Sequence, residues 1–221
     1  MKRKKKNKLW MLQAVLCAVC ILSVVLLYQN YVVIPRQNRE LVEELKTCFP
    51  EDIPPGGGSP GEKEEQAGRE PEVSAVDLRS LQRQYPGVRG WLTIPEVGID
   101  YPVMQSSRED PEYYLKRLFD GTSNRYGTIF LDSRATMNQE TMSQNLVLYG
   151  HNMKDGEMLG EAQKKYRQLS FYKENPVIQF DSAYREESMY WKVFAVFITN
   201  AYPEQDNGYV FPYTQTDFAT Q

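Results

Sequence analysis

Twenty uncharged residues, Leu9 to Tyr28, stand directly behind six positive charges in residues 1–8. At about 1.5 Å of rise per residue, a helix of that length crosses a hydrocarbon core of about 30 Å. In lipid a helix satisfies its own backbone hydrogen bonds, so the run predicts one transmembrane helix over 9–28. A cleaved signal peptide has the same basic start and apolar stretch. The run is longer than a usual signal-peptide core, however, and no small-x-small pattern follows it before Pro35. Leu16 and Val19 precede Cys17 and Cys20, where a lipid-modified cysteine wants a small residue. The basic cluster stays on the cytoplasmic side of a membrane. The reading is a single-pass signal anchor in the cell membrane, with a basic cytoplasmic tail (1–8) and everything after about residue 30 outside.

The formal net charge of −3 averages unlike segments. Residues 36–48 are balanced, 49–72 hold seven acids against two bases, and 73–221 hold 19 acids against 15 bases. No broad basic surface is left for nucleic acid, which is excluded as a partner. Of the three cysteines, Cys17 and Cys20 lie inside the apolar run and Cys48 just beyond it. The exported part therefore has one thiol and no internal disulfide, and membrane packing or a spare juxtamembrane thiol accounts for all three.

Residues 29–49 form a juxtamembrane stalk, with Leu41, Val42 and Leu45 spaced for a short helix over Gln37 to Thr47. Residues 50–72 then become a linker, Pro-Pro-Gly-Gly-Gly-Ser-Pro-Gly followed by glutamates, with almost nothing to bury. From Val73 the remaining 149 residues are enough for one domain with a core. Val76, Leu78 and Leu81 predict a short amphipathic helix closed by Tyr85-Pro-Gly. Short β-type runs follow at Gly90–Ile94, Ile99–Met104, Gly127–Leu131 and Asn145–Tyr149, separated by Pro, Gly and Asn. Met158 to Tyr172 reads as a helix stopped before Pro176, and Val177–Phe180 with Ser188–Thr199 as a hairpin whose stripe Val193, Ala195 and Phe197 faces the core. Many short strands with few helices predict a mainly β fold, a closed β-barrel with peripheral helices, rather than a parallel α/β sheet.

The one histidine, His151, follows an apolar strand and a glycine and precedes an Asn and a Gly-containing turn. An imidazole so placed can project into a cleft and shuttle protons near neutral pH, or it can be a surface or cap-satisfied side chain. Asp132, Asp155 and Glu157 could join it around a metal, but no second histidine or spaced cysteine pair completes a ligand set, so no metal is assigned. No Gly-x-Ser-x-Gly elbow supports a serine hydrolase.

The ordered set Gly90-Trp-Leu-Thr-Ile-Pro, Ile99-Asp-Tyr-Pro-Val, Glu112-Tyr-Tyr-Leu, Gly127-Thr-Ile-Phe-Leu-Asp, Asn145-Leu-Val-Leu-Tyr-Gly-His-Asn-Met-Lys-Asp-Gly and Phe171-Tyr resembles class B sortases in order and spacing, across residues 73–221. The resemblance implies the sortase β-barrel and a membrane-anchored cysteine transpeptidase of Gram-positive bacteria. Such enzymes cut a sorting signal of a secreted protein after threonine, hold the protein as a thioacyl-enzyme, and pass it to an amine of a peptidoglycan precursor or a pilin. No cofactor is implied. A cysteine nucleophile, a histidine acid or base and an oxyanion-stabilising arginine carry the reaction, and the histidine falls on His151. The cysteine belongs at the end of a Thr-Leu-x-Thr-Cys strand and the arginine on the next strand. Neither is matched here, because the sequence stops at Thr216-Asp-Phe-Ala-Thr-Gln221 and Arg185, the last arginine, falls in the hairpin turn.

The segment Glu112 to Leu115 corresponds to the signal-peptide groove, which makes Leu115 a substrate contact; Pro111 stands where the family often has asparagine. Tyr209 and Val210 correspond to loop positions that cover the bound peptide. Ordinary core or loop packing is the alternative for all three. The second reading of the whole is a non-catalytic, membrane-tethered module that keeps a partial barrel and holds peptides. An in-frame Thr-Leu-x-Thr-Cys with a later arginine beyond Gln221 separates the two. Read as a barrel lacking its last two strands, residues 73–221 have two open edges. The isolated 221-residue chain is therefore expected to be inactive and poorly folded. A cooperative melt of the purified chain, or peptide cleavage by it, would contradict that expectation.

Overall fold

The computed structural model describes residues 2–49, 76–200, 202–205 and 207–218. The chain divides into two compact units, residues 1–44 and 45–221. The expected linker at 50–72 lies outside the described residues.

Helix α1 covers Lys2–Tyr28, and its apolar side chains from Trp10 onward are exposed, as a helix long and apolar enough to cross a membrane requires. It continues through a π-helical turn, Gln29–Val33, into α2, Ile34–Cys48. The expected stalk helix is thus three residues longer at its start than composition suggested. Pro35 is tolerated because the ladder changes register just ahead of it: Ile34 N–H bonds to Gln29 O, and the donor that proline lacks falls at the switch.

In the second unit, α3 (Leu78–Gln84) starts on Asp77, whose carboxylate accepts from the backbone N–H groups of Arg79 and Ser80. Leu81 is buried on its inner side. Strands β1 (Val88–Ile94) and β2 (Ile99–Met104) form a hairpin across a 3₁₀ turn. They are followed by β3 (Phe130–Leu131), β4 (Leu148–Tyr149), α4 (Gly160–Lys165), α5 (Leu169–Glu174), β5 (Val177–Ser182) and β6 (Met189–Lys192). One six-stranded sheet results, in the order β4-β3-β2-β1-β5-β6, antiparallel except where β2 meets β3. It is the curled half of the expected barrel, with β4 and β6 as edges among the described residues.

Trp91, Ile99, Val103, Met104, Ile129 and Leu131 are almost fully buried around the central strands. Gly90 lets β1 and β5 approach: a Cβ there would lie 2.3 Å from Asp181 O and 2.7 Å from the Phe180 ring. Trp91 donates its Nε1–H to Asp100 Oδ1 at 2.6 Å, so burying the indole leaves no unpaired donor.

Three expectations from the sequence need correction. The runs at 127–131 and 145–149 supply only two strand residues each, because Gly127 turns in the left-handed region (φ 61°) and Asn145 donates its N–H to Thr216 O instead of a sheet neighbour. The helix over 158–172 is two short helices. Tyr166 and Phe171 meet edge to face at 5.1 Å, whereas residues five apart in one continuous helix point about 140° apart. The chain therefore breaks at Gln168, which is extended (φ −97°, ψ 118°). The second hairpin arm ends at Lys192; after Val193 N–H bonds to Pro176 O, no described strand pairs with it. Val193 is consequently half-buried, and Ala195 and Phe197 are exposed rather than core.

The fold holds the Tyr113–Lys116 turn against the start of β3 through Gly127. A Cβ at residue 127 would stand 2.4 Å from Leu115 O and 2.5 Å from Tyr114 O, in a backbone region costly for other residues. Gly127→Ala is expected to lower stability by more than about 2 kcal/mol, since left-handed strain of about 1–2 kcal/mol adds to a backbone clash. Denaturant titration of the two proteins checks this, and an unchanged midpoint would contradict it.

Candidate functional site

Strands β3 and β4 pair antiparallel, and residues of this short ladder and of the segments that follow each strand line one cleft of about 530 Å³. From β3 come Asp132, Ser133 and Arg134; from β4 come Tyr149 and Gly150. The opposite wall is Arg108, Pro111, Glu112 and Leu115, the last on the 3₁₀ turn Tyr113–Lys116.

His151 is half-buried next to this cleft, with Nε2 2.8 Å from Leu115 O. A carbonyl only accepts, so Nε2 carries the proton and Nδ1 is the nitrogen left to take or release one. The loop that follows is closed on itself. Leu159 N–H bonds to His151 O at 3.0 Å, and Asn152 bridges Met158, which sits at φ 57°. Two buried tyrosines pin its acidic tip: Tyr101 donates to Glu157 Oε2 at 2.8 Å, and Tyr126 donates to Asp155. Burial, then the Asp155 hydrogen bond, pushes the Tyr126 phenol up to about 12, so it remains a donor at neutral pH.

The three carboxylates that sequence set beside His151 have separate partners. Asp155 and Glu157 take the tyrosines, and Asp132 takes Arg134 and Tyr149. Asp132 is 5% exposed and accepts from Arg134 Nε (2.9 Å), Arg134 Nη2 (2.6 Å), the Arg134 backbone N–H (2.9 Å) and the Tyr149 hydroxyl (2.8 Å). The guanidinium hydrogen bond, above all, lowers its carboxyl to about 2. Burial and then Asp132 raise the Tyr149 phenol to about 12.

Leu115 and His151 are thus joined directly, although 36 residues separate them. Tyr209 and Val210 are not among the residues lining the cleft; Tyr209 is exposed, and its carbonyl takes Asn200 Nδ2 at 2.6 Å. Pro111 and Glu112 do line it. Cys17, Cys20 and Cys48 are exposed thiols outside the lining, and Arg185 lies in the turn between β5 and β6. Sequence reasoning passed over Arg134 and Arg108. The one available signal was Arg134 two residues after an aspartate at a strand end, a spacing that permits a local chelate.

No family model matches the chain. Sortase B of Listeria monocytogenes is 35% identical over 142 residues, 64% of this chain and 52% of that protein. A solved sortase B from Listeria monocytogenes, at 35% identity, aligns with a TM-score of 0.52 over 65% of this chain and 73% of its own. Sortase B from Bacillus anthracis, in complex with AAEK1, aligns at 0.59 with 28% identity, over 85% of this chain and 75% of its own. The Staphylococcus aureus sortase B–substrate complex aligns at 0.53 with 28% identity, over 65% and 59%. The alignment of the curled β-sheet with these structures places the chain among sortase-type folds, and the sequence identity narrows this to one class. The chain belongs to the sortase B family. It spans about half the length of the curated relatives it matches.

Because Asp132 has a lower pKa folded (about 2) than its ordinary value of 3.8, its contribution to stability is complete above about pH 4 and is lost as pH falls toward 2. Screening at the half-exposed Arg134 keeps that contribution on the order of 1–2 kcal/mol. Melting temperature against pH is expected to fall between pH 4 and 2, with a shallower fall in Asp132→Asn. Parallel acid limbs in the two proteins would contradict the assignment.

Proposed function

We propose that this protein is a membrane-anchored sortase-type cysteine transpeptidase in which His151 is the acid or base. The observation that carries the reading is the His151 Nε2 to Leu115 O hydrogen bond, which fixes the imidazole beside a peptide-sized cleft and leaves Nδ1 for proton transfer. Membership in the sortase B family and the apolar helix α1 support it.

In this reading the peptide is the sorting signal of a secreted surface protein, bound along the wall that Leu115 supplies, with Tyr209 and Val210 covering it. A cysteine thiolate adds to the carbonyl carbon of the threonine, and the oxyanion is stabilised by an arginine. The C–N bond breaks as the histidine protonates the departing amine, leaving a thioester. An amine of a peptidoglycan precursor or a pilin then attacks, gives up its proton to the histidine, and expels the thiolate. The chemistry needs no metal or organic cofactor. Neither the cysteine nor the arginine is assigned to any residue of 1–221, since no cysteine follows Cys48 and no arginine follows Arg185. The solved S. aureus relative is a complex with substrate, which supports a substrate-binding role. The basic tail 1–8 lies in the cytoplasm, α1 crosses the membrane and the sheet unit faces outward.

The test is acyl transfer by the protein expressed from its own gene, with a sorting-signal peptide and an amine acceptor. His151→Ala is expected to lose about 10²–10⁴-fold in rate with an unchanged melting temperature. Transfer retained by that variant would remove the role from His151. Tight peptide binding with no transfer by the unsubstituted protein would favour a non-catalytic peptide-holding module.

A further inference from the structure

Tyr149 and His151 leave β4 two residues apart, with only Gly150 between them, so whatever holds Tyr149 constrains where the imidazole can sit. Tyr149 is held at its far end by Asp132 Oδ2, 2.8 Å from its hydroxyl. The residue that carries this carboxylate is tied down at its backbone. Asp132 N–H bonds to Val147 O, and Asp132 O accepts from Ala135 N–H and Gln105 Nε2. Arg134 chelates both carboxylate oxygens, and its Nη2 also donates to Thr214 O at 3.2 Å.

Thr214 belongs to a segment strapped along the approach to β4. Asn145 Nδ2 donates to Tyr213 O (3.1 Å) and Gln215 O (2.8 Å), Asn145 N–H to Thr216 O (2.9 Å), and Ser143 Oγ to Asp217 Oδ2 (3.0 Å). The guanidinium of Arg134 thus touches Asp132 just past β3 and the strap, and through Asp132 it reaches Tyr149 on β4, two residues before His151. It does this from the cleft wall, with its side chain 54% exposed. Besides what the pair contributes to stability, its chelate geometry fixes the groups it touches.

We propose that Asp132, Arg134 and Tyr149 are positioning residues that fix the His151 imidazole against Leu115 and link it, through Arg134 and Thr214, to the strap that follows Tyr209 and Val210. A ligand entering the cleft past Arg134 then meets the same group that orients the histidine. This rests on the proposed role of His151, but its test reads imidazole geometry and uses neither peptide nor turnover.

His151 is the only histidine in residues 1–221, and in the protein expressed from its own gene, held in detergent micelles, its ring NMR signal is assigned by its loss in His151→Gln. We expect a single sharp resonance with a through-space contact to Leu115. Tyr149→Phe, which removes one oxygen, is expected to shift or split that resonance and weaken the contact. Arg134→Lys, which keeps the charge and loses the chelate, and Asp132→Asn are expected to do the same. Arg79→Ala, which breaks the exposed Arg79–Glu186 pair far along the chain, is expected to leave it unchanged. An unaltered His151 resonance and Leu115 contact in folded Tyr149→Phe and Arg134→Lys would overturn the proposal, whether or not Asp132→Asn folds. Should the ring respond while the gene product performs no acyl transfer, the catalytic reading fails and the positioning role stands.

Discussion

The close approach of β1 to β5 is the constraint on which the sheet depends. Residue 90 can be nothing but glycine at that separation, since any side chain would run into the Asp181 carbonyl and the Phe180 ring. With β1 held between β2 and β5, the alternating residues of these strands bury Trp91, Ile99 and Val103, and β2 is left to carry β3 and β4 on its far side. A central strand paired on both sides is stiff; the two-residue strands beyond it are not, and they need other support.

That support is polar, and most of it comes from outside the sheet. Asn145 anchors the strap from Tyr213 to Thr216, Gln105 and Val147 hold the Asp132 backbone, and the Tyr101 and Tyr126 hydroxyls secure the loop after His151. These polar groups beside the cleft find partners, which is what allows irregular chain to stay ordered there. The candidate site therefore sits where the regular ladder ends and side-chain hydrogen bonds take over, an arrangement that places chemical groups without filling the space between them.

Much of this was legible in local pattern. The apolar run marked α1, the Gly90–Ile94 and Ile99–Met104 segments marked the central hairpin, and the string around His151 marked both a family and a strand end. Local pattern failed where distant contacts set the outcome. Tyr166 and Phe171 lie in a stretch that reads as one helix, yet their ring contact requires a break. Val193, Ala195 and Phe197 alternate as a core strand does, yet alternation states only which side a residue faces, and burial needs a neighbour across the gap. Arg134 went unnoticed because its importance comes from Thr214, 80 residues later, and from a carboxylate whose burial no spacing reveals.

By itself the sequence determined the long apolar helix, the mainly β class and the candidacy of His151, because each depends on composition or on residues adjacent in the chain. Only the tertiary structure decided what that histidine faces. The Leu115 carbonyl reaches Nε2 from a turn 36 residues earlier, and the Asp132–Arg134–Tyr149 cluster forms when two strand ends and a strap meet. Hydrogen-bond distance between such groups is a property of the folded chain, since it arises from strand pairing and backbone approach that one-dimensional spacing does not encode.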